Sequence, residues 1–131
     1  MRVQRLLFVL VFALMAFPMF GGLVSAHHSV AGYDTKTEMV LQGVVVEYRW
    51  RNPHVIVVWN VTDKNGKTVE WAGEMNSPTS MIQVGMNNQS LKRGDQIILT
   101  VNPSLTGNPL GVIRKITTMD GKIIVDRFTP Q

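Results

Sequence analysis

Six short runs rich in β-branched residues, each closed by glycine, proline, asparagine or aspartate, constrain this chain more than any other feature. Met39 to Trp50 carries Val44-Val45-Val46 and Tyr48, residues that favour a pleated strand. Gly43 inside it suggests a bulge or bend. Arg51-Asn52-Pro53 breaks the run, because the residue before proline is held extended or in a turn. His54 to Val61 reads as a second strand. Asp63-Lys64-Asn65-Gly66 then gives a hairpin signal, since Asn-Gly supplies positive φ. Lys67 to Glu74 alternates, with Val69 and Trp71 on one face and Thr68, Glu70 and Glu74 on the other. Ser77-Pro78 has the chemistry of a helix start and Gly85 that of its end, with Met81, Ile82 and Val84 expected to face the core. Leu91 to Asp95 is a turn before a fourth strand, Gln96 to Val101. Asn102 to Gly111 reads as a loop, Val112 to Thr118 as a fifth strand, and Lys122 to Val125 as a short sixth after Asp120-Gly121.

The predicted order is strand, strand, strand, short helix, strand, strand. An all-β, OB-like barrel of five to six strands, with its helix between strands 3 and 4, requires that order. A small two-sheet sandwich is the competing all-β solution. The barrel domain is expected over 39–126, with an irregular arm at 27–38 and a fraying tail at 127–131.

The first 26 residues do not fit this pattern. Arg2 and Arg5 give a positive start, Leu6 to Phe17 is an unbroken apolar run of 12 residues, and Val24-Ser25-Ala26 places small residues at a cleavage point. This is the three-part plan of a secretory signal peptide. A retained membrane anchor is the alternative, but Pro18, Gly21 and Gly22 interrupt the ~20 apolar residues that a span needs. The expected product is a periplasmic protein beginning at His27, with no membrane segment left.

Removing Arg2 and Arg5 leaves 11 Lys+Arg against 9 Asp+Glu, a net charge of +2. That gives no case for nucleic acid or for an anionic membrane surface as partner. The chain has no cysteine, so an exported fold must rest on its core without disulfides, and thiolate chemistry is excluded. Of eight methionines, Met39, Met75, Met81, Met86 and Met119 lie beyond the leader, and their spacing suits packing.

Three histidines follow the leader. A free His27 amine and its Nδ1 can chelate one metal, and His28 adds a second imidazole. Such nitrogen sets suit Cu(II), the one cofactor that the sequence points to. His54 can complete the set, or it can hydrogen-bond the turn at Asn52. Arg49-Trp50-Arg51-Asn52 places two cations beside an indole, where Trp50 can stack on a ring and the arginines can hold an anion. The plainer reading is a tryptophan packed on the rim with two solvated arginines. Trp59 and Trp71 read as a core pair on adjacent strands.

Catalysis finds little support. Ser29, Ser77, Ser80, Ser90 and Ser104 lack the Gly-x-Ser-x-Gly context of a nucleophile elbow. There is no His-Glu-x-x-His helix and no glycine-rich phosphate loop. Glu70 and Glu74 are about 13 Å apart along one strand face, too far for a glycosidase pair.

His27-His28-Ser29, Leu41-x-Gly43-x-Val45, Asn52-Pro53-His54 and Leu91-Lys92-x-Gly94-Asp95 together resemble the small exported bacterial proteins of domain of unknown function family 6152. Asp120-Gly121-Lys122 is similar too. The resemblance implies export and a small all-β domain, and brings no ligand or catalytic residue. The expected function is therefore a non-catalytic binding module for an unidentified small ligand. A copper-binding protein is the alternative, and a structural partner of another envelope protein, joined by strand addition, is a third class. Intact mass of the protein recovered from the periplasm of a Gram-negative host is expected to start at His27. A membrane-bound product retaining Leu6 to Phe17 would contradict the processing.

Overall fold

The computed structural model of the chain describes residues 30–127. Its elements are β1 (Met39–Arg49), β2 (Ile56–Thr62), β3 (Thr68–Glu74), α1 (Pro78–Gln83), β4 (Gln96–Pro103), β5 (Leu110–Thr118) and β6 (Ile123–Asp126). β1 pairs antiparallel with β4 through its first half and with β2 through its second. β2 pairs with β3 and β4 with β5, both antiparallel. The ring closes where β3 meets β5 in parallel, through Ala72–Leu110, Gly73–Gly111 and Glu74–Val112. β6 adds to the later part of β5. The result is a closed five-stranded barrel, β1-β2-β3-β5-β4, with one extra strand and one short helix. This is the OB arrangement expected, and not a sandwich.

The barrel interior is filled by Val45, Val57, Trp59, Leu99, Val101, Ile113 and Ile116, all buried. Trp59 is the largest of them. Its cross-strand partner is Trp71, with ring centroids 6.1 Å apart and planes 27° from parallel. The indole lies between two glycines. A Cβ at Gly43 would run into the Asn60 carbonyl oxygen and come within 2.7 Å of Trp59 Cδ1. A Cβ at Gly73 would come within 2.9 Å of Trp59 Cζ3 and 2.6 Å of Ile113 Cγ1.

Gly43 thus serves close approach. The expected bulge lies further on, where the β1–β2 register shifts between Val45 and Glu47. The extra residue, Val46, reverses which positions face inward. Val45 and Tyr48 both pack against the core, while Glu47 is exposed.

α1 begins as read from the sequence. Ser77 Oγ accepts from the Ser80 amide at 3.4 Å, Pro78 occupies the first turn, and Gly85 takes φ +87° beyond the end. Met81 joins the core cluster with Met75 and Met86. Ile82 does not face inward as expected, being 60% exposed. One residue of helix turns the side chain by about 100°, so a six-residue helix seats only one face. The β2–β3 turn is held by Asp63 Oδ1, which accepts from the Asn65 and Lys67 amides, and only Gly66 takes positive φ there.

The region expected as a loop from Asn102 to Gly111 is shorter. β4 continues through Asn102 and Pro103, which pair with Val112 and Gly111. Gly111 permits this, because a Cβ there would sit 3.0 Å from Val101 Cβ. Arg127, expected to open a fraying tail, is held: its amide donates to the Arg114 carbonyl at 2.8 Å.

Replacing Trp59 with Ala is expected to cost about 3–5 kcal/mol in urea unfolding, the usual range for a buried aromatic. Gly43→Ala should cost about 1–3 kcal/mol or more, since its neighbour is backbone that cannot swing aside. Unchanged midpoints in both variants would contradict the packing described.

Candidate functional site

Residues 30–38 form an irregular arm, and the barrel straps it down. The Asp34 amide donates to the Pro103 carbonyl at 2.8 Å and the Leu105 amide to the Gly32 carbonyl at 2.9 Å. Tyr33 forms an isolated bridge with Ser104. Asn102, the one buried polar side chain among the described residues, donates from Nδ2 to the Thr37 carbonyl at 2.8 Å. Asp34 also shapes the arm's own turn, accepting from Thr37 Oγ1 at 2.6 Å and from the Lys36 amide at 3.0 Å. Those two bonds hold its carboxyl below the usual aspartate value. The turn is therefore fully supported above that usual value and loses the support as pH falls through the lowered one.

Between the arm and the β3–β5 seam lies a groove of about 380 Å³ on the outer side of the barrel. The register builds its floor: Val112 sits on β5 with Glu74 beside it on β3 and Asn102 beside it on β4. His54 and Asn76 line it from the segments flanking β2 and β3, and Val30, Thr35 and Glu38 from the arm. Arg114 and Arg127 supply the cations. Arg127 donates from Nη1 to the Ile113 carbonyl and from Nη2 to Asn76 Oδ1, both at 3.1 Å. Burial, and then the neighbouring charge of Arg114, push its guanidinium below the usual arginine value. Tyr33 is pushed up by burial and then by the charge of Glu74.

His54 Nδ1 lies 2.9 Å from the Met75 carbonyl oxygen. A carbonyl can only accept, so Nδ1 carries the proton in that bond. In the neutral ring, Nε2 is then the free acceptor.

The four residues of the Arg49–Asn52 cluster do not converge. Arg49 is gripped by Glu47 through two bonds, Nε to Oε1 at 2.5 Å and Nη2 to Oε2 at 2.6 Å. It lines a second hollow of about 260 Å³ with Tyr33, Ile56 and Leu110, which meets the groove at Glu74. Trp50 is half-buried against the core, with Tyr48 at 6.0 Å between ring centroids. The Tyr48 hydroxyl donates to the Asn87 carbonyl at 2.8 Å, and burial pushes its pKa up. Arg51 and Asn52 are exposed, and the Asn52–Pro53 peptide is cis. His27 and His28 lie outside the described residues.

Sequence reading missed Glu38, Asn76, Asn102, Arg114 and Arg127 as groove residues. They are single polar residues spread over five segments. The one available signal is Arg114, a charge set within the apolar run Val112 to Ile116. Among the described residues no group of three or more histidines and carboxylates is placed to hold a metal ion. No helix among them is long and apolar enough to cross a membrane.

Fold and groove together define a small OB-like barrel with a strapped arm. The model of a family of unknown function, DUF6152, matches residues 18–114, and the chain belongs to that family. The match takes in the His-His-Ser, Asn-Pro-His and Leu91–Asp95 motifs and stops before Asp120–Lys122. Comparison with curated proteins and with solved structures gives no match.

Asn102→Ala removes the strap's only side-chain bond from the barrel to Thr37. Global stability should fall by about 1 kcal/mol. The Asp34 and Leu105 amides should exchange with solvent faster than in the parent, while the Trp59 amide keeps its relative protection. Unchanged exchange at Asp34 and Leu105 would show that the arm does not depend on Asn102.

Proposed function

We propose that the chain is an exported, non-catalytic binding module whose small polar ligand sits in the groove between the arm and the β3–β5 seam. The observation that carries this reading is the groove itself. Its volume falls in the ~300–1,000 Å³ range of small-molecule sites, and polar groups from six separate segments converge on it. The lining offers fixed donors at Arg127, an acceptor at His54 and an apolar floor at Val112, which is recognition chemistry. The absence of a nucleophile motif in the sequence agrees with binding rather than turnover. Native mass spectrometry of protein taken directly from a periplasmic extract tests it. A small-molecule adduct is expected, and Thr35→Trp, at an exposed position on the groove's lip, should lose it. Bare parent protein, or the same adduct in both, would sink the reading.

A second reading, Cu(II) binding, is favoured by the His54 geometry. Metal-bound histidines usually donate their other ring N–H to a carbonyl or carboxylate, and His54 already does so. Val30 lines the same groove as His54, and His27 is three residues upstream, within about 10 Å of extended chain. Isothermal titration with Cu(II) should compare protein starting at His27, the same protein with an added N-terminal Met, and His54→Ala. One tight site in the first, weakened in both others and at lower pH, is expected, because protons compete for imidazole. Equal binding by the His27-start protein and His54→Ala would leave the metal on the terminal peptide alone and remove His54 from the site.

A further inference from the structure

We infer that the groove's ligand is a small zwitterion of the α-amino acid class, carrying a carboxylate and an ammonium on an aliphatic frame. The inference rests on the groove being the binding site and goes further by naming the chemistry of the occupant.

The lining sorts by charge. Glu74 ends β3 and stands beside Val112 in the seam, and Glu38 closes the arm. Arg114 lies two residues beyond Val112 on β5, at the extra position where the β4–β5 register shifts. Arg127 joins it, because its amide is bonded to the Arg114 carbonyl. The lining therefore carries two guanidiniums and, from the seam and the arm, two carboxylates.

Each half has a chemical consequence. The Arg127 fork is set in place by two neutral acceptors, the Ile113 carbonyl and Asn76 Oδ1. It is half-buried, which lowers its basicity most, and the repulsion of the Arg114 charge lowers it further. A carboxylate placed there offsets that repulsion and matches guanidinium geometry. A ligand that is only an anion would also face Glu74 and Glu38. A ligand that is only a cation would face the arginines. A molecule with both charges answers both signs of the lining, and its ammonium can donate to the carboxylates or to His54 Nε2. Val30, Met75 and Val112 leave an apolar strip for an aliphatic side chain.

The test uses the full mature protein and three matched probes: L-leucine, 4-methylpentanoate (leucine without its amine) and 3-methylbutylamine (leucine without its carboxyl). Amide shifts in proton–nitrogen correlation spectra report where each binds. Leucine is expected to move the amides of Thr35 to Glu38, Asn76 and Val112 to Lys115 saturably. Each half-molecule should bind about tenfold or more weakly. Glu74→Gln and Arg127→Gln should each weaken leucine by a similar factor, with the Trp59 and Trp71 indole signals showing that the barrel is intact. If 4-methylpentanoate binds as tightly as leucine at the same amides, the groove is a simple anion site and the zwitterion inference is overturned while the groove reading stands. Groove amides unmoved by all three overturn the inference too, and the extract adduct then decides the groove reading separately. Leucine binding unchanged in Arg127→Gln would also overturn it.

Discussion

Trp59 has no solvent exposure, and its indole fits inside the barrel only because Gly43 and Gly73 carry no side chains. The site is imperfect for it. Trp59 Nε1 is buried with no hydrogen-bond partner among the described residues, a cost of about 1–3 kcal/mol. Volume decides the matter. A small barrel without disulfides needs a large apolar body at its centre, and an aromatic side chain buries about 150–250 Å². Stacking with Trp71 adds to that gain. The two glycines therefore belong to the tryptophan, and the strand pairings around them are set by it.

Closure of the ring follows from the same packing. β3 can meet β5 in parallel over only three residue pairs, and Gly73 and Gly111 are the middle one. A side chain at Gly73 would strike Ile113 across the seam, and one at Gly111 would crowd Val101 on the neighbouring β4. The next pair, Glu74 and Val112, is the floor of the outer groove. Strand alternation turns the inward Gly73 into the outward neighbour Glu74, and Arg114, the extra residue after Ile113 where the β4–β5 register shifts, lines the same groove. The groove is thus the outer face of the seam that closes the core. Asn102, on the third strand of that row, fixes the arm that walls it.

Most of the barrel was legible in the sequence. Strand runs, helix start and turn glycines are local signals, and each was read within a few residues of its place. What local patterns could not carry was pairing. Gly43 reads as a bend, because a glycine in a strand has two meanings, and only the position of Trp59 across the sheet selects close approach. Asn102 and Pro103 read as loop because they break strand propensity, yet cross-strand bonds to β5 hold them. Ile82 reads as core by hydropathy, but a single-faced helix turns it outward. The groove was illegible for the same reason. Glu38, Glu74, Arg114 and Arg127 are far apart in sequence, and only the parallel seam and the last strand bring them together. The Arg49–Asn52 cluster was conspicuous through adjacency, but β1 ends at Arg49, Trp50 turns onto the core, and Arg51 and Asn52 stand exposed beyond the strand.

The bulge at Val46 shows how one inserted residue divides the surface into separate territories. Before it, Val44 faces out beside Asn60; after it, Glu47 and Arg49 face out beside Val58 and Ile56. Without the extra residue, Tyr48 would lie on the outer face and its hydroxyl could not reach the Asn87 carbonyl across the barrel end. Glu47 and Arg49 would point at the core, where neither could keep its charge without a large desolvation cost. Instead they neutralise each other on the outer face, within reach of Glu70, whose charge also acts on Arg49. Arg49 is thereby engaged by Glu47 in the hollow it shares with Glu74, two strand pairings away across β2, while the groove itself is lined by Arg114 of β5 and Arg127 of the chain that follows β6. The charge pattern of the groove depends in this way on a backbone irregularity on the other side of β2.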